Sequence, residues 1–141
     1  MSQRFSVAGK RILITGASSG FGAHFAMALA EEGADLVLAA RRVEKLEDTA
    51  RAVRDLGRAA TVVPMDVSDH ASVEAAFADM PALDVVVNNA GVSHEGPTEN
   101  IAEDEWDRVV DTNLKGVWAV SKFAIQQWKR DERPGSLINI A

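Results

Sequence analysis

An apolar triplet, Ile12-Leu13-Ile14, runs straight into Thr15-Gly16-Ala17-Ser18-Ser19-Gly20-Phe21-Gly22 and then into helically spaced apolar positions at Phe21, Phe25, Ala28 and Leu29. A buried strand that passes through glycines into a helix leaves few folds open. Such a turn aims the unpaired N–H groups and positive dipole end of the helix at the strand end, where a phosphate can be held. The glycine spacing is G-x-x-x-G-x-G, so the physical requirement of a dinucleotide fingerprint is met with a different letter pattern from G-x-G-x-x-G. A glycine- and serine-rich turn also has a purely structural reading.

The rest of the chain repeats the same theme. Periodicity predicts strands over 11–15, 35–40, 60–65, 84–88 and 136–140, alternating with helices over 20–32, 43–56, 69–79 and about 103–130. Leu36-Val37-Leu38 and Val85-Val86-Val87 are continuous apolar runs, as in strands buried on both faces. Gly33 and Gly57 follow two helices as C-caps, and Ser68 or Asp69 can cap the helix before Val73. The expected fold is α/β: a Rossmann-type doubly wound parallel sheet of five strands in order 3-2-1-4-5, with its ligand crevice at the carboxyl ends of strands 1 and 4. Thr15, Ala40, Asp66 and Asn88 all fall at or near such ends.

The 141 residues are expected to form a single domain, 1–141, large enough for a real core. With 15 basic and 21 acidic residues the formal charge is −6, which argues against nucleic-acid and anionic-membrane partners. The absence of cysteine excludes disulfides and thiolate metal sites, and His24, His70 and His94 lack metal-ligand spacing, so no metal is expected. The first ten residues carry no apolar leader segment, and no stretch reaches the length of a membrane span. A cytoplasmic location is the expectation.

Arg41-Arg42 lies about 20 residues beyond the glycine turn, where an NAD site places an acid on the ribose 2′-hydroxyl. Two arginines before a helix oppose its dipole. They read either as a solvated pair or as a fork for a 2′-phosphate, and the second reading prefers NADP, with NAD as the alternative.

Further along, Asp66-Val67 follows the third apolar run, Asn88-Asn89-Ala90-Gly91 closes the fourth, and Asn113-Leu114-Lys115-Gly116 sits inside the long helical stretch. With these motifs in order, the chain from about Lys10 to Ala141 resembles the classical short-chain dehydrogenase/reductase family. The resemblance implies reversible alcohol/carbonyl interconversion of a small-molecule substrate by hydride transfer with NADP or NAD, in a homo-oligomer when complete. Gly16, Ser18, Ser19, Gly20, Phe21 and Gly22 would then surround the pyrophosphate, with Phe21 covering the nicotinamide side. Arg41 and Arg42 would face the 2′-phosphate, and Asp66 and Val67 the adenine, although Asp66 also reads as a helix cap. Asn89, Ala90 and Gly91 would line the ribose, with Asn88 mainly structural.

Asn113 is the catalytic residue that the resemblance implies, its perturbed helix supporting a proton relay. The family pattern continues with a Ser and a Tyr-x-x-x-Lys, whereas this chain ends at Ala141 and contains no tyrosine. The expectation is a dinucleotide-binding domain incomplete at its C-terminus, truncated before the family's later strands and inactive alone. Two other readings are a non-catalytic dinucleotide-binding or interaction module and a flavodoxin-like FMN binder, the latter disfavoured by Asp66 and Asn88-Asn89. Trp106, Trp118 and Trp128 are expected in the core or at subunit contacts.

Overall fold

Strands with apolar residues on both faces need cover on both sides, and the computed structural model provides it with helices. It describes residues 5–141, so the first four positions of the predicted 1–141 domain lie outside the described residues. The strands are β1 (Arg11–Thr15), β2 (Asp35–Ala40), β3 (Ala60–Pro64), β4 (Val85–Asn88) and β5 (Ser136–Asn139). They form one sheet, β3-β2-β1-β4-β5, in which every pair is parallel. In register, Ile12 lies opposite Leu36 and Val85, and Leu13 opposite Val37 and Val86.

Successive strand residues point to opposite faces, so the core divides in two. On one face Ile12, Ile14, Leu36 and Leu38 pack against Ala26 and Ala30 of α1 (Gly20–Glu31) and Leu46, Ala50 and Val53 of α2 (Val43–Asp55). On the other, Leu13, Val37 and Val86 meet Val73 of α3 (His70–Ala78) and Ala119, Val120, Ala124 and Trp128 of α5 (Gly116–Arg130). The doubly wound α/β fold expected from the apolar runs is the fold observed. Asp69 caps α3, its side chain accepting a hydrogen bond from the Ala71 N–H.

Two readings of local pattern need correction. The predicted helix over 103–130 is a rod of three parts: α4 (Glu103–Val110), a π-helical turn (Asp111–Lys115) and α5. Asn113 lies in the wider turn, whose extra residue per turn frees backbone from the regular ladder. On α1 the buried stripe is Gly22, Ala26 and Ala30, while Phe21 is exposed. Small residues face the sheet because they allow the helix a close approach, while Phe25, Met27 and Leu29 pack half-buried on the flanks of the same core. Of the three tryptophans, Trp128 is buried, whereas Trp106 and Trp118 are exposed.

Gln127 is buried in the last turn of α5, where a long polar side chain demands partners. Its carbonyl accepts from the Leu83 N–H at 2.9 Å, and its amide donates to the Met80 and Pro81 carbonyls at 3.2 and 3.1 Å. The Trp128 indole donates to the Leu83 carbonyl at 2.7 Å. Together they hang the segment before β4 from α5. Gln127→Leu is expected to destabilise the chain by about 2–3 kcal/mol in urea unfolding, because it strands the buried Leu83 N–H. A loss below about 0.5 kcal/mol, the range of neutral surface changes, would show that the segment re-pairs elsewhere.

Candidate functional site: the crevice at the strand ends

At the carboxyl ends of β1 and β4 the two crossovers leave in opposite directions, and a crevice of about 380 Å³ opens between them. Its first wall is the glycine turn. Gly16, Ser18, Ser19 and Phe21 line it. The N-cap of α1, Ser19, makes no side-chain capping bond, so the first N–H groups of the helix face the opening without an internal acceptor.

The turn is held by contacts between residues distant in sequence. Thr15 Oγ1 accepts from the Asn89 and Ala90 N–H groups, both at 3.0 Å. The Asn89 amide donates to the Thr15 and Gly16 carbonyls at 3.0 and 3.4 Å. A β-carbon on Gly16, whose φ is +66°, would lie 2.8 Å from Ala90 Cα, and one on Gly22 would lie 2.2 Å from the Gly16 carbonyl oxygen. The glycines therefore let two turns and a helix start touch backbone to backbone.

The second wall follows β2. Arg41 and Arg42 both line the crevice. Arg42 Nη2 donates to the Ser18 and Ser19 hydroxyls at 3.2 and 2.9 Å, while Arg41 has no hydrogen-bond or ion-pair partner among the described residues. The third wall follows β3, with Asp66, Val67 and Ser68. Asp66 Oδ1 accepts from the Ser68 N–H at 3.0 Å and its hydroxyl at 2.6 Å. Gly116, at the start of α5, lets the rod press on Val67, since a β-carbon there would come within 2.9 Å of Val67 Cγ2.

The fourth wall is the segment after β4, where Asn89, Ala90, Gly91 and Val92 reach the crevice. Asn88 points away from it: its amide donates to Ser121 Oγ at 3.1 Å and Asn139 Oδ1 at 2.9 Å, tying β4 to α5 and β5. Asn113 uses both ends of its amide on Val92, accepting from the N–H at 2.8 Å and donating to the carbonyl at 2.7 Å. Glu105, one turn before Arg108, has its carboxyl held below its ordinary value by hydrogen bonds from Arg108 and then His94.

Of the residues singled out from sequence, Gly16, Ser18, Ser19, Phe21, Arg41, Arg42, Asp66, Val67, Asn89, Ala90 and Gly91 meet in this crevice. Gly22 and Asn113 brace the lining through Gly16 and Val92, whereas Gly20 is exposed, with open space where a β-carbon would sit. Ala40, expected at a strand end, also lines it, as do Met65, Ser68, Val92, Arg108 and Thr112, which were not anticipated. The one usable signal for the last two is their place one turn apart on the helical stretch that leads into Asn113. Thr49, whose hydroxyl donates to the Ala17 carbonyl at 3.1 Å, was equally unmarked. Among the described residues no group of His, Asp and Glu is placed to hold a metal ion, and no helix is long and apolar enough to cross a membrane.

Residues 10–141 match the sequence model of the short chain dehydrogenase family. A 3beta-hydroxysteroid dehydrogenase 1 from Eggerthella lenta is 36% identical over 138 residues, covering 94% of this chain and 53% of that protein. A gluconate 5-dehydrogenase from Burkholderia cenocepacia J2315, crystallised with NADP and tartrate, superposes with a TM-score of 0.89 at 38% identity, covering 98% of this chain and 55% of that one. A metagenomic short-chain oxidoreductase in complex with NADP gives a TM-score of 0.86 at 35% identity over 96% of this chain and 63% of that one. The chain spans about half the length of the curated relatives it matches.

Proposed function

Because the chain belongs to the short chain dehydrogenase family, we propose that its crevice binds NADP(H), in preference to NAD(H), for hydride transfer between an alcohol and a carbonyl. The observation that carries this reading is the pairing of an uncapped helix start with Arg41 and Arg42 in a single crevice. The cradle fits a dinucleotide: backbone replaces side chains at Gly16 and Gly22, and a β-carbon at either position would strike neighbouring backbone. When bound, the nicotinamide supplies the hydride chemistry.

The remaining work falls to the chain. The N–H groups at the start of α1 and the Ser18 and Ser19 hydroxyls face pyrophosphate, with Arg42 fixing those hydroxyls in place. Arg41 offers its guanidinium to the 2′-phosphate. Asp66 accepts from the adenine amino group with the oxygen that Ser68 leaves open, and the Val67 N–H donates to the ring. Asn89, Ala90 and Gly91 keep the ribose wall small, and Phe21 shields the reacting end from water. Asn113 holds Val92 and keeps the wider helical turn in register for a proton path.

The 141 residues include no tyrosine, so the proton donor that the family resemblance implies is not supplied by them. For these residues alone the proposal is cofactor binding without turnover. A cytoplasmic homo-oligomer, with exposed Trp106, Leu114 and Trp118 along the rod at the subunit contact, completes the reading. Titration of the chain with NADP+ and NAD+ by calorimetry tests it. Expected are saturable NADP+ binding, weaker NAD+ binding and no steady NADPH oxidation with carbonyl substrates. Absence of binding to either nucleotide would favour an interaction module instead.

A further inference from the structure

After β4 the chain runs along the helical rod in the opposite direction, and three consecutive residues are tied to it. Val92 gives both backbone groups to Asn113, the Ser93 carbonyl accepts from Arg108 Nη2 at 3.0 Å, and His94 Nδ1 lies 3.4 Å from Glu105 Oε2. Arg108 is itself gripped by Glu105, its Nε and Nη2 donating to the two carboxylate oxygens at 3.3 and 3.0 Å. Val92 and Arg108 line the crevice, whereas Glu105 and His94 do not.

We propose that Glu105 is a positioning residue: by holding Arg108 and His94 it locks the Val92–His94 segment against α4 and so sets the crevice wall without touching the crevice.

Asn113 fixes Val92 from the π turn, but beyond Val92 the described residues show no tie of the segment to the rod other than those through Arg108 and Glu105. Val92 and His94 are only half-buried and Gly91, Ser93 and residues 95–97 are exposed, so burial anchors the segment weakly, and it belongs to no strand or helix. An exposed ion pair alone contributes little, but here one carboxylate serves two rungs. Without it Arg108 regains its rotamer freedom, and the Ser93 carbonyl loses an oriented fork donor. His94 is further confined by the turn beyond it, where a β-carbon on Gly96 (φ +142°) would lie 3.0 Å from His94 Nε2.

The inference rests on the crevice being the dinucleotide site, and the test separates the two. Hydrogen exchange is followed in the full chain, with and without NADP+, for the parent, Glu105→Ala and Glu105→Gln. In the ligand-free Ala variant the Val92 amide, the one amide of the segment with an acceptor among the described residues, should exchange about ten-fold faster while α1 and α5 keep their protection. NADP+ affinity should fall about five-fold, as expected for a surface network acting at one remove. Glu105→Gln, which keeps an acceptor for Arg108, should recover most of both effects. Unchanged exchange at Val92, or faster exchange spread along α4 with no recovery by Gln, would overturn the proposal. If the parent fails to bind NADP+, the dinucleotide reading falls, and exchange at Val92 still decides whether Glu105 holds the segment.

Discussion

Gly22→Ala is expected to lose NADP+ binding and to destabilise the chain by about 3 kcal/mol or more, the upper range for overpacking. The added β-carbon would sit 2.2 Å from the Gly16 carbonyl oxygen and 2.7 Å from Asn89 Nδ2. Neither neighbour can give way cheaply. The Gly16 carbonyl belongs to backbone whose turn is pinned through Thr15, and the Asn89 amide is already committed to the Thr15 and Gly16 carbonyls. The start of α1 would have to move off β1, carrying with it the N–H groups that face the crevice.

Gly20→Ala is the control, since a β-carbon there meets nothing within 4 Å and the cost is confined to its left-handed φ of +56°, about 1–2 kcal/mol. Gly20→Val adds a branched side chain at the open mouth of the turn, and should abolish dinucleotide binding with secondary structure retained. Chemical denaturation and calorimetry of the variants check the contrast. Parental stability in Gly22→Ala would show that the helix start can shift without loss, and parental affinity in Gly20→Val would show that the turn is structural only.

Arg41→Ala should weaken NADP+ by about 1.5–3 kcal/mol, the range for a hydrogen-bonded charged group, and leave NAD+ nearly unchanged. Arg42 is spent on the two serine hydroxyls, while Arg41 lines the same crevice without a partner among the described residues. An unengaged guanidinium beside an open helix start is suited to a phosphate, and its removal leaves the protein's own contacts intact. Arg42→Ala should behave differently and weaken both nucleotides, because it unsettles Ser18 and Ser19 in the part of the turn that NAD and NADP share. Equal losses of NADP+ and NAD+ on Arg41→Ala would remove the 2′-phosphate assignment.

Much of the architecture was legible from short stretches of chain. Continuous apolar triplets such as Leu36-Val37-Leu38 can be satisfied only by a strand covered on both sides, and alternation with helical segments leaves a parallel, doubly wound sheet. The convergence of the glycine turn, Arg41, Asp66 and Asn89 followed from the same logic, because parallel strands present all their carboxyl ends on one side. Less legible was which face of a helix turns inward. On α1 the apolar spacing pointed to Phe21, Phe25, Ala28 and Leu29; Phe25 and Leu29 do pack on the core, but Phe21 is exposed and the fully buried positions are Gly22, Ala26 and Ala30, since close packing rewards fit as well as apolar area.

Sequence alone therefore settled the order of strands and helices, the sheet they build and the end of it where the crevice opens. These are consequences of backbone periodicity and of glycine and asparagine at turns, each a property of a few neighbouring residues. Tertiary structure decided what each side chain does there. Asn89 is spent on the carbonyls of β1's end, Arg42 on two serines, and Asn113 on Val92. Their partners lie between 21 and 74 residues away. Those pairings depend on the neighbouring positions of β1 and β4 and on the pitch of the rod through its π turn. No local pattern encodes either distance, and they come into being only when the sheet has closed its register.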